Sequence, residues 1–290
     1  MPVPPLSAFT IVRNAVLLDF PIVESIRSVL PLCEDVVVNV GASDDETPEL
    51  IRTIDDPRVR ILETDWDVRL GERLLEVETA RAMRACRHSW GVYIQADEVL
   101  HEAGIPILRH ALEEVDRDPR IEALVVGYRH FFGDPFTEAV NRRWYRREAR
   151  VIRLDPALDI HPFRDAQGFR AGPDDRKVRA RLTAAEMFHY GWTRSAAALQ
   201  GKRREDRNLY RSVAEPAPDD PLLTWFPGLR PFRGTHPAVA RDWVERHQHD
   251  PDRTLSTPRF HWGHLRFHLS DVAERVTGSR IFEFRNYRLI

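Results

Sequence analysis

The chain is expected to fold as an α/β protein around a largely parallel sheet, and three observations lead there. Short β-branched or apolar runs that end in polar residues recur through the N-terminal third. Stretches with apolar residues at helical spacing separate them. One run, Trp90-Gly-Val-Tyr-Ile-Gln-Ala-Asp97-Glu98, stops abruptly in acid. Strands alternating with helices imply parallel pairing through right-handed crossovers. Ligands of such sheets bind outside the carboxyl ends of the strands.

The elements follow in order. Phe9-Thr-Ile-Val12 reads as a strand ending at Arg13-Asn14, and Ile22, Val23, Ile26, Val29 and Leu30 mark a helix. Val36 to Val40 is too β-branched to prefer a helix and forms a second strand. It ends in Gly41-Ala-Ser43-Asp44-Asp45-Glu46-Thr47, where Asp45 or Thr47 is placed to cap a helix through Leu50, Ile51 and Ile54. Val59 to Leu62 is a third strand, and Leu70 to Ala85 reads as one long amphipathic helix before the acidic strand. Ala123 to Val126 continues through Tyr128, His130 and Phe132 as a strand with one face toward a cleft, and Gly133-Asp134-Pro135 turns the chain. Trp144 to Leu154 reads as an edge strand pair; alternating Arg and Glu give it a solvated face. Phe188-His189-Tyr-Gly-Trp192 is a short aromatic strand leading to an Arg-rich helix over 195–211.

The acidic strand end carries the first chemical expectation. It delivers Asp97 and Glu98 to the sheet rim, where a hard cation and a phosphate can be held. Magnesium-type ions take oxygen ligands and rely on one or two carboxylates plus substrate phosphates. One further motif lies in a consistent order with it. Gly41-x-Ser43-x-Asp45-x-Thr47 resembles the Gly-x-Ser-x-Asp-x-Thr element of glycosyltransferase family 2, and Gln95-Ala96-Asp97 resembles the Asp-x-Asp element of GT-A glycosyltransferases, with Gln95 in the place of the first Asp. Arg13-Asn14 is similar to the family's nucleotide-contacting strand end, and Trp144-Tyr-Arg-Arg-Glu, Asp165-Ala-Gln-Gly-Phe169 and Phe188-His189-Tyr-Gly-Trp192 fit relatives of this type. The resemblance covers roughly residues 6 to 195.

The resemblance implies a GT-A fold over 1–195, a mixed, mostly parallel sheet flanked by helices, with a helical and irregular extension over 196–290 packed on it. It implies a metal-assisted glycosyltransferase that moves a sugar from a nucleotide-diphosphate donor to an unidentified hydroxyl acceptor. Val12, Arg13, Asn14, Ser43, Asp45, Gln95 and Ala96 would contact the donor. Asp97 and His189 would hold a divalent ion, Mn2+ or Mg2+. Asp165 would act as general base in an inverting reaction, with Asp174 and Asp175 as alternatives, and Trp144, Tyr145 and Trp192 would border the acceptor. Lys202 and Arg203 are placed to approach a diphosphate. Two departures stand out: many family members carry an Asp where this chain has Val40, and Gln95 replaces an Asp. They favour the competing reading, a non-catalytic protein that binds a sugar nucleotide or nucleic acid. A nucleotidyltransferase is disfavoured, because Arg13-Asn14-Ala-Val-Leu is not a glycine-rich phosphate loop.

Composition sets bounds. The 290 residues, 42% apolar, suffice for one large core with an appendage. Met-Pro-Val-Pro-Pro lacks the basic and apolar regions of a signal peptide, and no window nears the roughly 18 apolar residues of a membrane span. Cys33 and Cys86 show no metal spacing and read as free thiols in a reducing cytoplasm. The net charge of −2 argues against generic duplex binding, although a nucleic-acid acceptor stays open, as does a homo-oligomer. Of 43 basic residues only Lys177 and Lys202 are lysines. Among twelve histidines, His247, His249, His261, His264 and His268 cluster without the His-Glu-x-x-His arrangement of zinc hydrolases. Donor sugar, base, acceptor and stereochemistry stay undetermined at this stage. The extension reads as a Pro-rich linker over 214–221, an irregular wrap over 222–262, a helix over 265–276 and a terminal strand or docked tail from Arg280.

Overall fold

A computed structural model describes residues 3–209, 221–258, 262, 267 and 285–290. The helix expected over 265–276, the linker before Pro221, and His261, His264 and His268 lie outside the described residues, save Phe267.

The strands β1 (Leu6–Val12), β2 (Asp35–Gly41), β3 (Val59–Thr64) and β4 (Trp90–Tyr93) alternate with the helices α1 (Ile22–Val29), α2 (Thr47–Arg52) and α3 (Leu74–Arg84). Then come β5 (Glu98–Leu100), α4 (Gly104–Val115), β6 (Ala123–Phe132), β7 (Asp134–Ala139), β8 (Arg147–Arg153), β9 (Ile160–Phe163), β10 (Gly168–Ala171), β11 (Arg176–Trp192), α5 (Ala196–Leu209), β12 (Leu229–Pro231), α6 (Arg241–His247) and β13 (Tyr287–Leu289). The main path of the sheet runs β3-β2-β1-β4-β8-β6-β11-β10-β9. Its first four strands are parallel. β8 runs antiparallel to both neighbours, and β6 and β11 are again parallel. The mixed sheet with helices on its faces that the sequence leads one to expect is the one observed.

Strand alternation divides the core between the two faces. Leu6, Ala8 and Val12 with Val36, Val38 and Val40 pack against Ile22, Ile26 and Val29 of α1 and Leu108, Leu112 and Val115 of α4. Phe9, Ile11, Val37 and Tyr93 face the other way, toward Ala82 of α3 and Phe169 of the β9–β10 hairpin. The extension packs on the sheet through two further clusters. Ala240, Trp243 and Val244 meet Phe131, Phe188 and Tyr190, while Ala196, Leu199, Leu222, Leu223 and Phe226 meet Phe132 and Ala139.

Two expectations are corrected. The long helix over 70–85 is a 3-10 segment, Val68–Arg73, followed by α3. Gly71 interrupts it with φ 54° and ψ −127°, a backbone that glycine adopts without a Cβ clash. The strand over 144–154 is β8, and it is central, with β4 on one side and β6 on the other. Its charges misled the reading because they are buried, not solvated. Arg150 Nη2 donates to Glu98 Oε1 at 3.0 Å, both side chains are fully buried, and Arg150 also covers the rings of Tyr93 and Tyr128. Burial would lower the Arg150 pKa, but the Glu98 charge outweighs it and raises it.

Glu148, on the same strand, is also buried and accepts a 3.1 Å hydrogen bond from Asn286 Nδ2 at the start of β13. Burial pushes its carboxyl up to about 7 from an ordinary 4.5. Removing one partner of a buried ion pair typically costs about 3–5 kcal/mol. Arg150→Met should therefore destabilise the fold by that order in chemical denaturation, with much of the loss recovered in the double variant Glu98→Gln/Arg150→Met. The Glu148 carboxyl ionises in the unfolded chain before it does in the folded one, so it should withdraw up to about 3 kcal/mol of stability between pH 4.5 and 7. Glu148→Gln should leave the melting temperature unchanged at pH 4 and raise it at pH 8.

Candidate functional site

The carboxyl ends of β1 and β2 are laced together by side chains. Asn14, at φ 54°, donates its backbone N–H to Ser43 Oγ at 3.1 Å and accepts the Asp44 N–H at 2.7 Å. Arg13 reaches the Ala42 carbonyl at 2.8 Å and the Asp44 carboxylate at 3.2 Å. Asp45 accepts the Leu17 N–H at 2.8 Å and the Thr47 N–H at 3.1 Å, and it also takes the Thr47 hydroxyl. The structure thus brings Arg13, Asn14, Ser43 and Asp45 to one edge, as the sequence predicts. Asn14 is buried, however, and Asp45 serves the turn that starts α2, so both carry structural work. Val12 and Val40 are core residues.

At the next strand end, Gln95 and Ala96 lead from β4 into Asp97. The Gln95 carbonyl accepts the Ser25 hydroxyl at 3.1 Å, which fixes this turn to α1. The neighbouring acids separate by role. Glu98 points inward, where it accepts from Arg150, from Tyr128 Oη at 2.7 Å and from the Gln95 N–H at 3.0 Å. Asp97 points toward His189 of β11. Its Oδ2 lies 3.6 Å from His189 Nε2, with 15% and 12% of the two side chains exposed. Gly191 makes this approach feasible: a Cβ there would stand 2.5 Å from Asp97 Oδ2 and 2.8 Å from His189 Nε2. Burial would raise the Asp97 pKa, but His189, Arg194 and Lys202 outweigh it and lower it.

Arg194 was not singled out from sequence, being one arginine among many. It is fully buried and donates to the Gly191 carbonyl at 3.1 Å and the Leu18 carbonyl at 2.8 Å, tying the loop after β1 to the strand carrying His189. Lys202 of α5 covers the Trp192 ring at 5.6 Å.

His130 is the second residue that the sequence did not assign, although the alternation along β6 pointed its face at a cleft. Its Nε2 lies 2.6 Å from the Tyr145 carbonyl and its Nδ1 3.2 Å from His189 Nδ1. Burial lowers its pKa well below the usual value, so the ring is neutral. A carbonyl only accepts, so His130 Nε2 carries the hydrogen and Nδ1 is a bare acceptor. His189 Nδ1 must then donate to it. That leaves His189 Nε2 as the ring atom facing Asp97 Oδ2. The two atoms stand 3.6 Å apart, a spacing that suits an ion pair with a protonated ring or two ligands of one cation.

The aromatic residues expected at the acceptor have an observable structural task. The Trp144 and Tyr145 rings lie 5.0 and 4.6 Å from His130, and Trp144 stands 6.3 Å from Trp192. They form the wall that holds the His130–His189 pair. The structure does not join Asp165 to this group. It sits in the β9–β10 turn, accepts the Gln167 N–H at 3.3 Å and shares a cavity of about 450 Å3 with Glu72, Arg73 and Glu76. Asp175 accepts from His161 Nε2 at 2.9 Å. His247 bonds Asp19 at 2.7 Å, a structural contact between α6 and the loop after β1. Cys33 is buried and Cys86 partly so; both are free thiols, with burial pushing the Cys86 pKa to about 12.

Among the described residues, no helix is long and apolar enough to cross a membrane. No protein-family model and no curated protein matches the chain. Crystal structures of S. aureus TarS are similar at low identity. TarS 1–349 gives a TM-score of 0.43 at 12% identity, covering 73% of this chain and 67% of that one. Its complex with UDP gives 0.42 at 12% identity, with the same two coverages. In a longer TarS structure the match spans 39% of that chain.

Because Asp45 anchors two backbone N–H groups, Asp45→Ala should cost roughly 1–2 kcal/mol of stability in thermal or urea unfolding. An undiminished melting temperature combined with a collapse of nucleotide affinity would instead make Asp45 a ligand contact.

Proposed function

We propose that the chain is a metal-assisted glycosyltransferase acting on a nucleotide-diphosphate sugar and a hydroxyl acceptor. The observation that carries this is the Asp97–His189 pair at the carboxyl edge of the sheet, with His189 Nε2 facing Asp97 Oδ2 and Arg194 and Lys202 close by. Among the described residues no group of three or more His, Cys, Asp or Glu side chains is gathered. A divalent ion at this edge would thus have Asp97 and His189 as protein ligands and fill its shell with water and diphosphate oxygens, a pattern that suits Mg2+ and Mn2+. The imidazole favours Mn2+ over Mg2+. Such an ion offsets the charge that develops on a departing diphosphate.

The remaining roles follow from placement. Lys202 and Arg194 add fixed positive charge beside Asp97 for the diphosphate. The nucleoside lies across the ends of β1 and β2, against Arg13 and the loop carrying Ser43, with Gln95 and Ala96 at its border. Val40 leaves the base without the carboxylate contact that many relatives provide, so base discrimination is expected to be loose. Asp165 is assigned as general base for an acceptor that enters the cavity beside Glu72 and Glu76. Its value there depends on reaching the hydroxyl within hydrogen-bond distance. Trp144 and Tyr145 act through His130, and Trp192 shields the pair from water.

Asp97→Asn should abolish most metal-stimulated sugar transfer while leaving the melting temperature nearly unchanged. A strongly destabilised variant with full specific activity would make Asp97 a structural cap. His130 is a positioning residue in this scheme. Outer-shell partners of metal ligands typically tune affinity by about 10–100-fold, so His130→Phe should weaken Mn2+ binding by about tenfold in calorimetry. It should also release His189 from a single tautomer, which nitrogen-15 NMR of the imidazoles reads without turnover. A single, unchanged His189 tautomer in the variant would remove His130 from the scheme and leave the Asp97 assignment standing.

A further inference from the structure

The far end of β11 carries a second feature that sugar transfer does not use. Lys177 lies twelve residues before His189 on this strand, which, allowing for the bulge after Leu182, puts it about 30–35 Å from the Asp97 edge. There the ends of β11 and β13 border an open groove of about 610 Å3 lined by Arg176, Lys177, Arg179, Arg285 and Arg288, with Tyr287 and Leu289. No acidic residue lines it among the described residues. The strand register makes the crowding of charge explicit. Arg179 stands directly opposite Arg288, and Arg170 of β10 directly opposite Lys177. Like charges directly opposite on neighbouring strands are destabilising.

One carboxylate organises the wall. Glu122 is fully buried behind it and accepts two hydrogen bonds from Arg176, both at 2.8 Å, and two from Arg179, one from its guanidinium at 2.7 Å and one from its backbone N–H at 2.8 Å. Burial would raise the Glu122 pKa, but these guanidiniums hold it at about 2, so it stays ionised. Two guanidiniums are thereby fixed before any ligand arrives, which lowers the ordering cost of binding. Arg288 is exposed and has no ion-pair partner among the described residues. Arginine forks match phosphate oxygens bidentately, and the groove volume lies in the range of small-ligand sites.

We propose that this groove is an anion site that takes a phosphate-bearing group, either a soluble phosphate or diphosphate or a phospholipid headgroup. The ligand adds negative charge beside Arg288, which stands opposite Arg179. The site is independent of the donor edge and of the sugar-transfer reading.

The test is calorimetric titration of inorganic pyrophosphate into the full chain at low ionic strength, alongside Lys177→Glu/Arg288→Glu. Both substituted side chains are exposed and outside the Glu122 pairs. Saturable binding should weaken by about tenfold or more in the double variant, the loss expected for charge-assisted hydrogen bonds, with nucleotide affinity at the Asp97 edge unchanged. If the double variant melts early, the decision passes to Arg288→Gln, which should lower pyrophosphate affinity in the same direction. A second arm sediments the protein with vesicles of phosphatidylglycerol or phosphatidylcholine. Binding to the anionic vesicles alone, lost in the variant, identifies a headgroup, and pyrophosphate binding without vesicle binding identifies a soluble phosphate. No saturable binding of either probe, or equal binding by wild type and variants, overturns the proposal.

Discussion

The buried pair of Glu98 and Arg150 is the interaction on which the site depends. Taking both ions out of water is costly, and the cost is offset only where geometry and further hydrogen bonds satisfy them. Here Glu98 accepts from Arg150, Tyr128 and the Gln95 N–H, while Arg150 also donates to the Gln167 carbonyl at 2.8 Å. Strands β5, β6 and β8 and the β9–β10 turn converge on one carboxylate. The turn over residues 94–97 is gripped from inside by Glu98 and from outside by Ser25. Its remaining freedom is small, and Asp97 is left projecting from the edge toward β11.

That grip explains why the two acids at the strand end have opposite fates, which their adjacency in sequence could not reveal. Asp97 lies in the turn that the Glu98 N–H closes on the Gln95 carbonyl, whereas Glu98 opens β5, so the two side chains leave in different directions. Which one turned inward depended on a cation 52 residues away, on a strand whose alternating Arg and Glu resembled a solvated face. The parallel strands of the N-terminal half were legible because hydrophobic periodicity records them locally. The central place of β8 was not, because it rests on paired buried charges rather than on a hydrophobic pattern. Gly71 likewise breaks an amphipathic pattern that continues unchanged on either side of it.

His130 shows the same limit at the site itself. Its candidate ligand neighbour, His189, was legible from its place before Tyr190-Gly191-Trp192. His130 is defined only by pairing, since β6 and β11 align the two histidines as direct neighbours across the sheet. The register then does chemical work. It sets two imidazoles side by side, and the Tyr145 carbonyl at the far end of the chain of hydrogen bonds places the His130 proton on Nε2, so that His189 Nδ1 donates to His130. Gly191 completes the arrangement by leaving the volume that a side chain would take from Asp97 and His189. Position along the sequence selects the residues, while sheet register and one missing Cβ select their protonation and spacing.

The near-neutral formal charge of −2 conceals how unevenly charge is distributed. β11 is the element that reaches both extremes, with Arg176, Lys177 and Arg179 at its start and His189 beside Asp97 near its end. At physiological ionic strength the screening length is about 8 Å, several times shorter than this strand. The acidic edge and the basic corner are therefore electrostatically separate although one strand joins them. A charge change at one should leave affinities at the other unaltered, and any coupling between them must pass through the packing of the sheet. The sheet is a poor conduit for such a signal, because β11 is held along its length by β6, and near its two ends by β5 and β13. The two proposed sites on this strand, one at the Asp97 edge and one at the distal corner, are thus expected to answer to different ligands without either dictating the occupancy of the other.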